Sequence, residues 1–251
     1  MDLLEEHRPV GNHWVFARKS DGQYKACLVA QGFTQAFRID YQDTFSPVAC
    51  FETFHKLMAL TVLHNWELEA LNVKTAFLYG NLDEEIYMKQ PEGFIIKGQE
   101  KQVCQLKKSL YGLKQAALQW NKESHKSLLK MGFHCTYVDP GTYVKFIDKE
   151  IIIILVYVDN AFFTGSNPKL LSSYKKQFMK QWESRDLGEA KEYLGIRITR
   201  DCKKMMITLD QATYALRVVK HFGLENCRGK AQPLSSSYKP SLNTKTATST
   251  L

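Results

Sequence analysis

No C-x-x-C pair occurs among Cys27, Cys50, Cys104, Cys135, Cys202 and Cys227, and their spacing fits no zinc site. Free thiols of an intracellular protein are therefore expected rather than a disulfide framework or a zinc module. Long apolar runs are also missing. The longest stretch, Ile151 to Val158, is eight residues, far short of the ~20 that a membrane helix needs. The start, MDLLEEHRPV, carries an acidic pair where a secretory signal would have an apolar core. No internal repeat is present, which excludes solenoids and propellers. These absences predict a soluble intracellular protein, cytoplasmic or nuclear.

What remains is ordinary globular composition. The 251 residues are 44% hydrophobic and 24% charged, enough for one large domain or two small ones. A formal charge of +8 leans toward polyanionic partners. The tail from Ser235, SSSYKPSLNTKTATSTL, has little to bury and is expected to be disordered.

The sequence is most informative at Ile151 to Gly165, IIIILVYVDNAFFTG. Its first eight residues read as a strand buried on both faces. Asp159-Asn160 interrupts the run and suits a tight hairpin turn, since both residues tolerate left-handed backbone angles. A plain core hairpin fits this pattern. So does a carboxylate at the tip of a rigid support, placed to hold a metal ion.

Around that hairpin, strands are predicted at 14–16, 24–30, 68–73, 103–106, 142–147, 193–199 and 205–209. The Tyr41–Pro47 stretch reads as loop. One helix spans Phe54 to Val62, with Thr53 and Asn65 as caps, and another spans Gln115 to Met131 with Gly132 as its left-handed stop. Asn167-Pro168 is a strong helix start, and Leu171, Tyr174, Phe178 and Trp182 mark one apolar face behind it. Asp210 can cap a last helix ended by Gly223. Helices interspersed among mostly antiparallel strands make the class α+β.

Nine blocks then occur in order: YKACLVAQGFTQ (24–35), DTFSPVA (43–49), LNVKTAFLYG (71–80), LDEEIYMKQPEGF (82–94), KKSLYGLKQA (107–116), LVYVDN (155–160), TGS (164–166), DLGEAKEYLGI (186–196) and LDQATY (209–214). Together they resemble the reverse transcriptase domain of copia-type retrotransposon polyproteins. The resemblance implies a right-hand polymerase over residues 1–235, fingers and palm with the beginning of a thumb, its mostly antiparallel palm sheet packed on helices. Residues 236–251 would be the tail. It also implies an RNA template, a DNA primer and dNTPs as partners, with no membrane, and Mg2+ or Mn2+ as cofactor. An integrase, a protease, an RNase H part and the segment before the first strand are not seen in the sequence.

In that family two divalent ions carry an in-line phosphoryl transfer, held by carboxylates on rigid strands. The resemblance places the catalytic positions at Asn72, Asp159 and Asn160, with Asp159 and Asn72 as metal ligands. Only one of the three is a carboxylate here. At an effective dielectric constant of ~20, each unit-charge contact at ~4 Å contributes roughly 4 kcal/mol before desolvation. Two such losses predict weak metal binding and little or no polymerisation. Phe77 matches the ring that excludes a ribose 2′-hydroxyl, and Gln115 a residue that meets the incoming nucleotide and braces the template. Lys25 is a possible triphosphate contact. Read without the family, Phe77 is a core aromatic, Gln115 an ordinary helix-start residue and Lys25 a solvated surface group.

Cys27, Cys50 and His55 stand where the family usually has Arg, and Asn72 and Asn160 where it has Asp. Each change needs one C-to-T or G-to-A transition, which points to a decaying copy. Ala117 and Leu118, where Pro and Arg are usual, fit general drift. Two other roles follow from a lost metal centre: a non-catalytic nucleic-acid binder, or a defective partner of an intact retroelement polymerase. Lys107, Lys108, Lys122, Lys126 and Lys130 either line a template-primer groove or form a solvated face. Asp83-Glu84-Glu85 reads as surface, since consecutive carboxylates do not converge on one ion.

Overall fold

Strand β8 (Glu150–Tyr157) lies inside a six-stranded sheet, and its alternate residues face two different cores. This is a computed structural model, and it describes residues 1–4, 7–19 and 22–229. Ile152, Ile154 and Val156 point to one side, and Ile153 and Leu155 to the other. The continuous apolar run is thus what a period-two strand requires when both faces are covered.

The sheet is antiparallel throughout and runs β10 (Ser184–Glu189), β3 (Glu67–Val73), β9 (Asn160–Gly165), β8, β7 (Thr142–Ile147), β6 (His134–Cys135). On one face pack α2 (Ala116–Lys130) and α3 (Pro168–Gln181), through Trp120, Leu128, Leu171 and Phe178. The other face takes α1 (Phe51–Leu63) through Phe54, Leu57 and Met58. Beside α1 sits a second sheet of β11 (Glu192–Tyr193), β12 (Ile196–Asp201) and β13 (Met206–Asp210), whose Tyr193 ring stacks on Phe54.

Two small hairpins complete the chain. One pairs β1 (Asn12–Arg18) with β2 (Tyr24–Ala30), the other β4 (Tyr87–Lys89) with β5 (Val103–Gln105). A last helix, α4 (Ala212–His221), buries none of its residues. The α+β class with antiparallel sheets holds. The expected tail, 236–251, lies outside the described residues, as does Asp21 of the first turn.

Several local expectations need correction. Helix α1 begins at Phe51, so Thr53 is not its cap. The Cys50 amide instead donates to the Asp139 carboxylate at 2.9 Å, a partner 89 residues away. The predicted strand 193–199 is broken by a tight turn in which Leu194 and Gly195 are both left-handed, splitting β11 from β12. Strand β10 was not foreseen. Its sequence, SRDLGE, carries one apolar residue, and pairing with β3 overrides its weak strand preference. Asn167 caps α3 as read, accepting from the Lys169 and Leu170 amides. The α1 C-cap is His64 rather than Asn65, which follows it left-handed, and the α4 N-cap is Gln211 rather than Asp210, whose carboxylate accepts from the Ala212 amide.

Candidate active site

The β8–β9 turn consists of Val158 and Asp159, because Tyr157 pairs with Asn160. This corrects the expected Asp159-Asn160 turn: Asn160 is the first residue of β9. Val158 takes the left-handed angle, with φ 56°, a strained conformation for a β-branched residue. The turn is held by its carbonyls. The buried Trp120 indole donates to the Val158 oxygen at 2.6 Å, and the Val73 amide donates to the Asp159 oxygen at 2.7 Å.

Strand register brings the three expected catalytic positions together. Asn72 lies directly opposite Asn160, so their side chains share one sheet face. The Asn72 Nδ2 donates to Asn160 Oδ1 at 3.1 Å, and Asn160 Nδ2 donates to Asp159 Oδ1 at 3.1 Å. On its other side Asn72 is paired with Arg185 of β10. The row therefore holds one carboxylate, two amides and a neighbouring guanidinium. Among the described residues no three His, Cys, Asp or Glu side chains converge as a metal set. Two adjacent divalent cations need more than one carboxylate to offset their charge, and here a single carboxylate stands beside two amides hydrogen-bonded to each other. The residues present do not fit a two-metal centre.

Phe77 sits in a short 3-10 turn, Ala76–Tyr79, entered through a left-handed Thr75. Its ring packs on Tyr111 with centroids 4.8 Å apart. A small cleft beside it is lined by Ala117, Trp120 and Val158. Burial raises the Tyr111 hydroxyl pKa, and the Asp159 carboxylate and Cys27 thiol reinforce the shift. The Tyr111 phenol is therefore held in its neutral form.

Gln115 is fully buried. Its Oε1 accepts from Gln35 at 3.0 Å, and its Nε2 donates to the Asp40 carbonyl at 2.8 Å and to Glu84 at 3.2 Å. It stitches the loop after β2 to the acidic segment before β4. Lys25 is exposed on β2, away from that knot. The Lys122 and Lys126 ammonium groups contact Asp83 and Glu123, which favours a solvated, paired face over a phosphate groove. Asp83 also accepts from Gln119, and its carboxyl lies below the usual range because Lys122 and Gln119 donate to it.

Trp120, Tyr111 and Arg185 were not singled out by sequence. Trp120 read only as a core position of α2, and Tyr111 as one letter of the KKSLYGLKQA block. Replacing Trp120 by Phe leaves the Val158 carbonyl without its donor and the smaller ring leaves part of the core unfilled. A loss of about 2–3 kcal/mol is expected, read as an earlier urea midpoint with an unchanged slope.

A sequence profile of the reverse transcriptase (RNA-dependent DNA polymerase) family matches residues 1–236, so the chain belongs to that family. Among its relatives, the Retrovirus-related Pol polyprotein from transposon TNT 1-94 of Nicotiana tabacum is 39% identical over 95% of this chain and 18% of its own length. The Retrovirus-related Pol polyprotein from transposon RE1 of Arabidopsis thaliana is 36% identical over 93% of this chain and 16% of its own length. Thus the chain spans less than a fifth of each of these relatives. A solved structure of apo telomerase from Candida Tropicalis superposes with a TM-score of 0.40 at 10% identity, covering 80% of this chain and 55% of its own.

Proposed function

We propose that this chain is the fingers and palm of a copia-type reverse transcriptase whose metal centre is disabled. The β1–β2 hairpin and the Gln35–Gln115–Glu84 knot serve as fingers. The six-stranded sheet with α2 and α3 is the palm, and α4 leads toward the thumb. An RNA template, a DNA primer and dNTPs are the substrates such a scaffold is shaped for. Phe77, backed by Tyr111, would exclude a ribose 2′-hydroxyl. Gln115 would brace the fingers from inside rather than touch the nucleotide, since its hydrogen bonds are already made. Lys25 remains the exposed cation that could meet a triphosphate.

One observation carries the reading of lost catalysis: the amide-to-amide-to-carboxylate row of Asn72, Asn160 and Asp159. Polymerisation needs negative charge to hold two divalent ions against the phosphates. This row supplies one formal negative charge, with Arg185 registered beside it. Primer extension with this chain and with its Asn72→Asp/Asn160→Asp variant tests the proposal. No extension is expected from the native chain in Mg2+ or Mn2+, and measurable extension from the double variant. Robust synthesis by the native chain would refute it.

A second reading, a non-catalytic nucleic-acid binder, is favoured by a cleft of about 590 Å3 between β11–β13 and α4. Lys191, Arg197, Arg200 and Arg217 line it together with Glu189, Glu192 and Asp210, and Arg197 is paired with Asp210, so the lining carries only a small excess of positive charge. Binding of a primer-template duplex that weakens steeply with salt, without extension, would support that role.

A further inference from the structure

The row at the β8–β9 turn does more than lack charge. Four residues lie side by side across one sheet face: Arg185 of β10, Asn72 of β3, Asn160 of β9 and Tyr157 of β8. Carboxylates at both central positions would face each other across a cross-strand pair, roughly 5 Å apart at Cβ. Such a pair repels unless a cation sits between its members. Amides have no such requirement, because each can donate and accept at once.

We infer that Asn72 and Asn160 form a hydrogen-bonded clasp that joins β3 to the β8–β9 turn without any divalent cation, so that the stability of this sheet is independent of Mg2+ and Mn2+. Asn160 is the centre of the clasp: its oxygen accepts from Asn72 and its nitrogen donates to Asp159. Both links of the clasp, Asn72 to Asn160 and Asn160 to Asp159, are therefore a donor facing an acceptor. The clasp also supports the turn. Val158 is held left-handed, and a conformation of that kind persists only when its surroundings over-determine it. Trp120 and the Val73 amide fix the two turn carbonyls, while Asn160 fixes the Asp159 side chain. The remaining carboxylate thus has one oxygen committed to an internal donor, and the exposed Arg185 is registered opposite Asn72 on the neighbouring strand.

The inference concerns stability, so it stands or falls separately from the loss of polymerase activity. Thermal melts of the native chain are compared in EDTA and in millimolar Mg2+ or Mn2+. Asn72→Ala and Asn72→Asp/Asn160→Asp are melted beside it. The native midpoint is expected to be the same in EDTA and in metal. Asn72→Ala, which removes the donor and leaves the Asn160 oxygen unsatisfied, should melt about 3–8 °C lower, equally in both conditions. The double variant should melt lower in EDTA and recover in metal, because its carboxylates then have a cation to share. A native midpoint that rises in metal would overturn the clasp, as would an Asn72→Ala midpoint equal to the native one. If the double variant does not fold, the native and Asn72→Ala melts still decide. A native chain that fails to extend primers but melts higher in metal would sink the clasp and leave the proposed function intact.

Discussion

Replacing Lys175 by methionine is expected to lower stability by about 3 kcal/mol, read as a fall of roughly 6–12 °C in melting temperature. Lys175 lies on α3 with 7% of its surface exposed. Its ammonium contacts Glu69 of β3 and, at 2.9 Å, Asp186 of β10. One cation thus ties the helix to the two strands that position Asn72. Methionine fills nearly the same volume, so the loss comes from two carboxylates left without a counter-charge rather than from a cavity. The figure is kept at the low end because Asp186 retains 44% side-chain exposure, which screens it.

The pH dependence separates this mechanism from simple loosening. Burial disfavours the Lys175 charge, but its hydrogen bonds to the Glu69 and Asp186 carboxylates outweigh that and raise the pKa above its ordinary value. That contribution is complete below the unfolded lysine pKa and is lost only as pH rises through the folded one. Burial likewise opposes the Asp186 charge, yet the Gly188 amide and Lys175 hold its carboxyl below the usual range. Its contribution is present above the unfolded aspartate pKa and is lost as pH falls through the folded one. The native cluster therefore weakens in acid. In Lys175→Met the Asp186 carboxylate is relieved by protonation, so the deficit measured by urea unfolding should be smaller near pH 4 than at pH 7. A deficit that stays constant between those conditions would argue that Lys175 acts through packing alone.

Helical spacing puts Lys175 on the apolar face of α3, four residues after Leu171 and three before Phe178, whereas Lys169, Lys176 and Lys180 fall off that face and are not buried. Its partners Glu69 and Asp186, on two other strands, are what no local pattern shows. Local signals read well where one short segment sets the answer. Asn167-Pro168 starts α3, Gly132 with φ 81° ends α2, and the alternation in 151–158 gives β8 its two faces. Signals failed where the deciding partner is remote. Asp139 sets the start of α1 from 89 residues away, and β3 recruits SRDLGE as a strand. At the site, the family blocks pointed to Asn72, Asp159 and Asn160, and register does bring them together. What they could not give is the hydrogen bonding among them, or that Gln115 is sealed inside a knot of other side chains. The turn was misplaced by one residue. Val158, an improbable left-handed residue, is held there by Trp120, whose indole is a partner no local pattern predicts.

Gly112→Ala should be as damaging as the loss of Lys175, by a purely steric route. Gly112 has φ +91°, and a Cβ there would lie 2.0 Å from the Ala30 carbonyl oxygen and 2.7 Å from a Val29 methyl. Across the same contact, a Cβ on Gly32 would lie 2.1 Å from the Gly112 carbonyl oxygen. The two glycines let the end of β2 press against the Tyr111–Leu113 turn, and the Ala30 amide donates to the Tyr111 oxygen at 2.8 Å. The obstacle is backbone on both sides, so no side chain can swing away. Left-handed strain of about 1–2 kcal/mol adds to overpacking of about 1–3 kcal/mol, for a total of about 2–5 kcal/mol. Gly93 supplies the control: it is also left-handed, at φ +82°, but has nothing within 4 Å of the added atom. Gly93→Ala should therefore show the strain alone, about 1–2 kcal/mol. The difference between the two urea midpoints measures the close approach itself. Because Tyr111 carries the ring on which Phe77 packs, Gly112→Ala should also shift the near-ultraviolet circular dichroism of the aromatics. Equal losses at the two positions would mean that β2 and the Tyr111 turn can part freely, and that the glycines of the two blocks, AQGF and YGLK, are kept apart by nothing more than backbone angle.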